Sequence, residues 1–121
     1  MMTGNVLNRH ALLPVTLRQA GRPDLAVEFV VDTGFTGALA LPPAVIAALA
    51  LPYIGEQPAN LANDEEVQLS LYAATILWNG VDQEVRVLAT GRRPLVGTTR
   101  LDGNELLIQF SDNGLVTLDP L

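Results

Sequence analysis

The chain has 121 residues, 49% of them apolar and 17% charged, which suits one domain with its own core and excludes a disordered segment. Cysteine and lysine are both absent, so thiol nucleophiles, disulfides, cysteine-ligated metals, Schiff-base lysines and Walker-type phosphate lysines are excluded. A formal charge of −6 and a pI near 4.5 leave no basic stripe to neutralise phosphates, and no nucleic-acid partner is expected.

Met1 to His10 lacks the positive-then-apolar layout of a signal peptide, which leaves a cytoplasmic location as the expectation. Val15 to Arg18 reads as a strand, Gln19 to Asp24 as a turn, and Leu25 to Val31 as the returning strand of a hairpin. Phe29-Val30-Val31 is a continuous apolar run, as in a strand covered on both faces, and it stops at Asp32-Thr33-Gly34. Gly37 to Leu41 follows as a short strand. Pro43 suits the first turn of a helix running through Leu51, which Pro52 ends. The apolar stretch from Leu39 to Ile54 contains three prolines and is a poor membrane span, so no membrane association is expected.

Polar residues dominate from Pro58 to Gln68 and predict an exposed hairpin tip. Val67 to Trp78 is a long strand candidate. Asn79-Gly80 is a two-residue hairpin signal, and Gln83 to Ala89 returns as its partner. Leu95-Val96-Gly97 and a segment of undecided structure, Thr98 to Asp102, precede a strand from Glu105 to Phe110. A turn at Ser111 to Gly114 and a strand from Leu115 to Leu118 close the chain. Many short strands and one short helix predict a mainly β barrel or sandwich, one domain spanning residues 1–121.

Asp32 sits where an apolar strand breaks into a turn, and a carboxylate there is costly unless it is hydrogen-bonded or paired. Gly34 permits a turn that a side chain would block, and the Thr33 hydroxyl can tie it down. Taken alone, the triplet fits an aspartate that merely accepts backbone N–H bonds in a corner. Pro94-Leu95-Val96-Gly97, about sixty residues on within β-rich sequence, changes the balance.

Together these features resemble the aspartic peptidase clan, and most closely its small bacterial and archaeal retroviral-like (retropepsin-type) members. Val31-Asp32-Thr33-Gly34-Phe35-Thr36-Gly37 followed by Leu39-Ala40-Leu41-Pro42-Pro43 carries the resemblance, which runs from about Leu12 to Leu118. It implies a closed, barrel-like acid-protease half with one or two short helices. It makes Asp32 the catalytic aspartate, Thr33 the threonine that bonds across a dimer axis, and Gly34 the glycine of the active-site turn. Leu95, Val96 and Gly97 become the segment that braces this turn. Ala62, Asn63, Asp64 and Glu65 fall in the substrate-covering flap, and Phe35 beside the substrate pocket. It further implies that terminal strands such as Leu115 to Leu118 form the subunit interface.

Peptide hydrolysis by carboxylates needs one ionised aspartate to activate water and one protonated aspartate to polarise the carbonyl. Two carboxylates a few ångströms apart do not both ionise easily, so the titration belongs to the pair. The chain has one Asp-Thr-Gly and no second Asp-Thr-Gly or Asp-Ser-Gly. A homodimer is therefore a requirement of this reading, acting on a peptide or protein substrate without cofactor or metal. A peptide-binding dimer of the same fold that cuts poorly is the alternative, suggested by the acidic, glycine-free tip. A monomeric β-barrel binding module, with Asp32 only a turn stabiliser, is a third.

The remaining candidates are weaker. His10 is the single histidine, too little for a metal site, and Ser70 and Ser111 lack a nucleophile-elbow context. Asp64-Glu65-Glu66 makes an incomplete oxygen cage and reads as a solvated loop. Trp78 is expected to pack in its hairpin, Tyr53 and Tyr72 to be partly buried core residues, and Arg100 to pair with Asp102 or a partner chain.

Overall fold

The computed structural model describes residues 1–60 and 63–121, so Ala62 of the expected flap lies outside the described residues. Among the described residues the chain is mainly β. In chain order it runs β1 (Met2–Leu7), β2 (His10–Arg18), β3 (Leu25–Val31), β4 (Leu39–Leu41), α1 (Pro43–Leu49), β5 (Tyr53–Asn60) and β6 (Glu66–Trp78). It continues with β7 (Val81–Ala89), β8 (Leu95–Val96), α2 (Thr98–Leu101), β9 (Asn104–Ile108) and β10 (Leu115–Pro120). No helix among the described residues is long and apolar enough to cross a membrane.

Six strands form a hydrogen-bonded ring in the order β2-β3-β8-β4-β7-β6, closed by pairing of β6 back onto β2. The nine residues of β2 make this possible, because β2 changes partner halfway along. Its first part pairs β1 (Asn5 opposite Leu12) and its last part pairs β6 (Thr16 opposite Leu77). Pro14 falls in the gap between those two ladders, where a missing N–H breaks no bond. That is why the strand begins at His10, well before the expected Val15. Inside the ring lie Leu13, Val15, Leu17, Phe29, Leu39, Leu41, Ile76, Val87 and Val96, all essentially inaccessible to solvent. Each such side chain contributes about 1.5–3 kcal/mol of hydrophobic stabilisation.

Outside the ring, β5 extends the sheet from β6, and β1, β10 and β9 extend it from β2. β10 has β1 on one side and β9 on the other, so Leu115 to Leu118 offers no free edge for a subunit interface. The free edge there is β9. Gln109 N–H donates to Leu115 O and Leu121 N–H to Gly103 O. The alternation of an antiparallel ladder then turns the backbone groups of Asn104, Leu106 and Ile108 outward.

Other expectations change in detail. β3 is covered less than its apolar run predicts: Phe29 is buried, but Val30 and Val31 are only half-buried. α1 stops at Leu49 because Ala50 takes a left-handed φ of 52° and Leu51 N–H folds back to Ile46 O. The undecided segment after Gly97 is the helix α2. Tyr53 is 56% exposed on the edge strand β5, where its ring meets Tyr72 edge-on at 5.6 Å. Trp78 does pack in the core, 3% exposed, and the Asn79-Gly80 turn takes the positive φ values (49° and 79°) of a tight hairpin.

Candidate active site

The loop that carries Asp32 owes its shape to β8. This two-residue strand lies between β3, to which it is parallel, and β4, to which it is antiparallel. Val96 stands opposite Val31 on one side and Leu39 on the other. Residues 32–38, which join β3 to β4, must therefore loop around the end of β8. Both arms of the loop are tied to it. Asp32 N–H donates to Val96 O at 3.0 Å, and Gly97 N–H donates to Ala38 O at 2.9 Å.

The next residues of the chain fasten the loop's middle. Thr98 N–H donates to Phe35 O at 2.8 Å and Thr99 N–H to Gly37 O at 3.3 Å, while the Thr99 hydroxyl donates to Thr36 O. Gly97 is required by this closeness. A Cβ there would stand 2.3 Å from Gly37 O and 2.5 Å from Phe35 O, distances that real Cβ atoms do not reach. Leu95, Val96 and Gly97 thus brace the Asp32 loop through main-chain contacts, and Thr98 and Thr99 join them. Sequence reasoning left these threonines unassigned, although their place directly after Gly97 was the available signal.

Asp32 itself is half-buried. Its Oδ1 accepts the Gly34 N–H at 2.9 Å, and its main-chain carbonyl accepts the Phe35 N–H at 3.2 Å. Among the described residues, no charged side chain pairs with the carboxylate. Thr33 and Gly34 are exposed. Thr33 borders a shallow hollow of about 550 Å³ together with Asn104 and Leu106, which places the β9 edge on the same side as the loop.

Phe35 is half-buried and packs on a small cluster formed by Ala40, Leu71 and Leu88, as do Leu69 and Leu95. The side chain thus links the Asp32 loop to the base of the β5–β6 hairpin, since Leu69 and Leu71 belong to β6. That hairpin is the expected flap. Its strands pair from Tyr53 opposite Tyr72 to Asn60 opposite Glu66, with a bulge at Tyr53/Gly55. Near its tip Asn63, Asp64 and Glu65 are exposed; Asn63 Oδ1 accepts the Glu65 N–H, and Asp64 has a φ of 63°. No hydrogen bond or ion pair joins these three to the Asp32 loop among the described residues.

A second hollow, about 360 Å³, opens beside the loop. Thr36 to Leu39 form one wall, Gln57 and Leu71 of the hairpin another, and β7 and α2 the floor. Arg100 of α2 lines it without pairing to Asp102 as expected. Its guanidinium carbon lies 4.7 Å from the Trp78 ring centroid, and one Nη donates to Gln83 Oε1. Burial lowers the pKa of this guanidinium from its ordinary value.

The chain is similar in structure to a retropepsin-like aspartic protease from Rickettsia conorii. The TM-score is 0.55 at 16% sequence identity, over 99% of this chain and 94% of that one. The fold is retropepsin-like. At that identity the likeness speaks for the fold alone. No protein-family model matches the chain, and no curated protein matches it significantly in sequence.

Proposed function

We propose that the chain is one half of an aspartic endopeptidase, completed by a second copy that brings its own Asp32. The observation that carries this reading is the loop itself. Its carboxylate is half-buried with no charged partner among the described residues, on a turn held by main-chain bonds to β8 and α2, in a retropepsin-like fold. A merely structural aspartate does not need so much of the chain devoted to fixing its turn.

In the proposed dimer, one Asp32 carboxylate takes a proton from a water molecule, whose oxygen adds to the scissile carbonyl carbon. The partner's Asp32 carboxyl gives its proton to the carbonyl oxygen. The tetrahedral diol then collapses: the nitrogen takes the proton held by the first Asp32, the C–N bond breaks, one diol hydroxyl returns its proton to the partner's Asp32, and a carboxylic acid and an amine leave. Thr33, exposed at the loop's surface, would bond across the axis, and Gly34 holds the carboxylate's orientation through its N–H. The unpaired β9 edge borders the same hollow as Thr33 and is the natural strand to meet its copy, since a two-fold axis makes such a pairing antiparallel. Asn63, Asp64 and Glu65, with Ala62, would cover the substrate.

The test is a cleavage assay of the purified chain on a diverse peptide library, from mildly acidic to neutral pH, beside Asp32→Asn and with pepstatin. Cleavage that both the substitution and the inhibitor abolish is expected. Equal cleavage by Asp32→Asn would remove the catalytic assignment. A dimer that binds peptides but cuts none would favour the second reading, a peptide-binding module, for which the acidic, exposed hairpin tip speaks.

A further inference from the structure

Arg100 is a cation partly withdrawn from water without an anion to answer it. Among the described residues no carboxylate lies within ion-pair distance of it, and its Nε is buried with no hydrogen-bond partner. The chain does not lack acids, with thirteen Asp and Glu against seven Arg. Arg18 shows how such a charge is ordinarily met here: it pairs with both Asp24 and Asp82. Arg100 meets the neutral amide of Gln83, and Asp102, two residues away, stays exposed. A half-buried charge without a counter-charge is destabilising, and an anion that arrives later recovers that cost.

Two features prepare the guanidinium for such an anion. Stacking on Trp78 and the bond to Gln83 fix its plane, so little freedom is lost on binding. The hollow it lines is walled by Thr36, Gly37 and Ala38 of the Asp32 loop and by Gln57 of the β5–β6 hairpin. A peptide held between loop and hairpin would extend a side chain into it. The other charges lining the hollow are Arg86 and Glu84, so its charge is net positive in an acidic protein.

We propose that this hollow is a subsite for a carboxylate side chain of the peptide substrate, with Arg100 as the residue that recognises it. The proposal deepens the peptidase reading and rests on it. Acidic side chains are accepted at the one substrate position that reaches Arg100, and are disfavoured where the peptide passes the acidic hairpin tip.

The test uses two peptide libraries with acetylated and amidated ends, identical except that every fixed Glu in one is Gln in the other, scanned along the sequence. The wild-type chain is expected to cleave the Glu form about tenfold better in kcat/KM at one position, in line with a charge-assisted bond. Arg100→Met keeps an apolar stem over Trp78. It should bring that ratio close to one, the change appearing in KM for the Glu peptides. No Glu preference in the wild type at any position, or a preference that survives Arg100→Met, would overturn the proposal while leaving the peptidase reading in place. The wild-type ratio does not depend on the variant's folding. If the wild type cleaves neither library, the peptidase reading fails and NMR titration with the same libraries decides the subsite. Shifts of the Arg100 Nε–H and Trp78 Nε1–H with Glu peptides alone would support it, and no such shifts would overturn it.

Discussion

The Asp32 loop and the tip of the β5–β6 hairpin are both turns between strands, yet they are built in opposite ways. The loop is fastened from within: Val96, Gly97, Thr98 and Thr99 bond to its main chain, and Gly97 is pressed against two of its carbonyls. Among the described residues of the tip, the Asn63 side chain bonds only within the tip, and Asn63, Asp64 and Glu65 are exposed. On the proposed reading the difference separates a group that must hold a reacting geometry, which needs a rigid surround, from a covering segment that must let substrate in and out.

Substitutions on the two sides of this comparison should differ by a wide margin. Gly97→Ala carries the largest expected effect. The added methyl meets main-chain oxygens that cannot move aside without breaking β8 from the loop, so a loss of roughly 3 kcal/mol or more is expected by chemical denaturation. Gly37→Ala sharpens the point, because there the new methyl meets the Phe35 ring first, at 2.5 Å, rather than main-chain oxygens. A smaller loss of about 1–3 kcal/mol is expected as the ring shifts. At the other extreme, neutralising Asp64, Glu65 and Glu66 together to Asn, Gln and Gln should leave stability within about 0.5 kcal/mol. Its effect belongs in KM, as a few-fold gain for acidic peptides. An unfolding effect from the tip, or none from Gly97→Ala, would break the comparison.

Much of this was legible in the sequence, for physical reasons that can be traced. Asn79-Gly80 announces its hairpin because both residues tolerate positive φ, and Leu25 to Val31 announces β3 by composition. The Asp32 turn and its brace were readable together because Asp32-Thr33-Gly34 after an apolar run is followed about sixty residues on by Leu95-Val96-Gly97; the triplet alone fits a turn-stabilising aspartate equally well. β1 was not legible. Met2-Thr3-Gly4-Asn5-Val6-Leu7 has little alternation, and it is a strand because β2 and β10 hold it on either side. Gly4 permits this, since a Cβ there would stand 1.8 Å from Leu12 O. β5 was hidden in the same way by Gly55 and Pro58, which an edge strand tolerates. Arg100 pointed to a nearby acid in sequence, whereas the fold turns it onto Trp78, a relation that only tertiary structure creates.

The central claim is that each chain holds half a catalytic site. Wild-type chain mixed with Asp32→Asn chain, refolded together and assayed per wild-type chain, tests it most directly. If the site is shared, equal amounts should cut that activity to about half, because random pairing places half the wild-type chains in inactive mixed dimers. Activity per wild-type chain that stays unchanged at every mixing ratio would contradict the account.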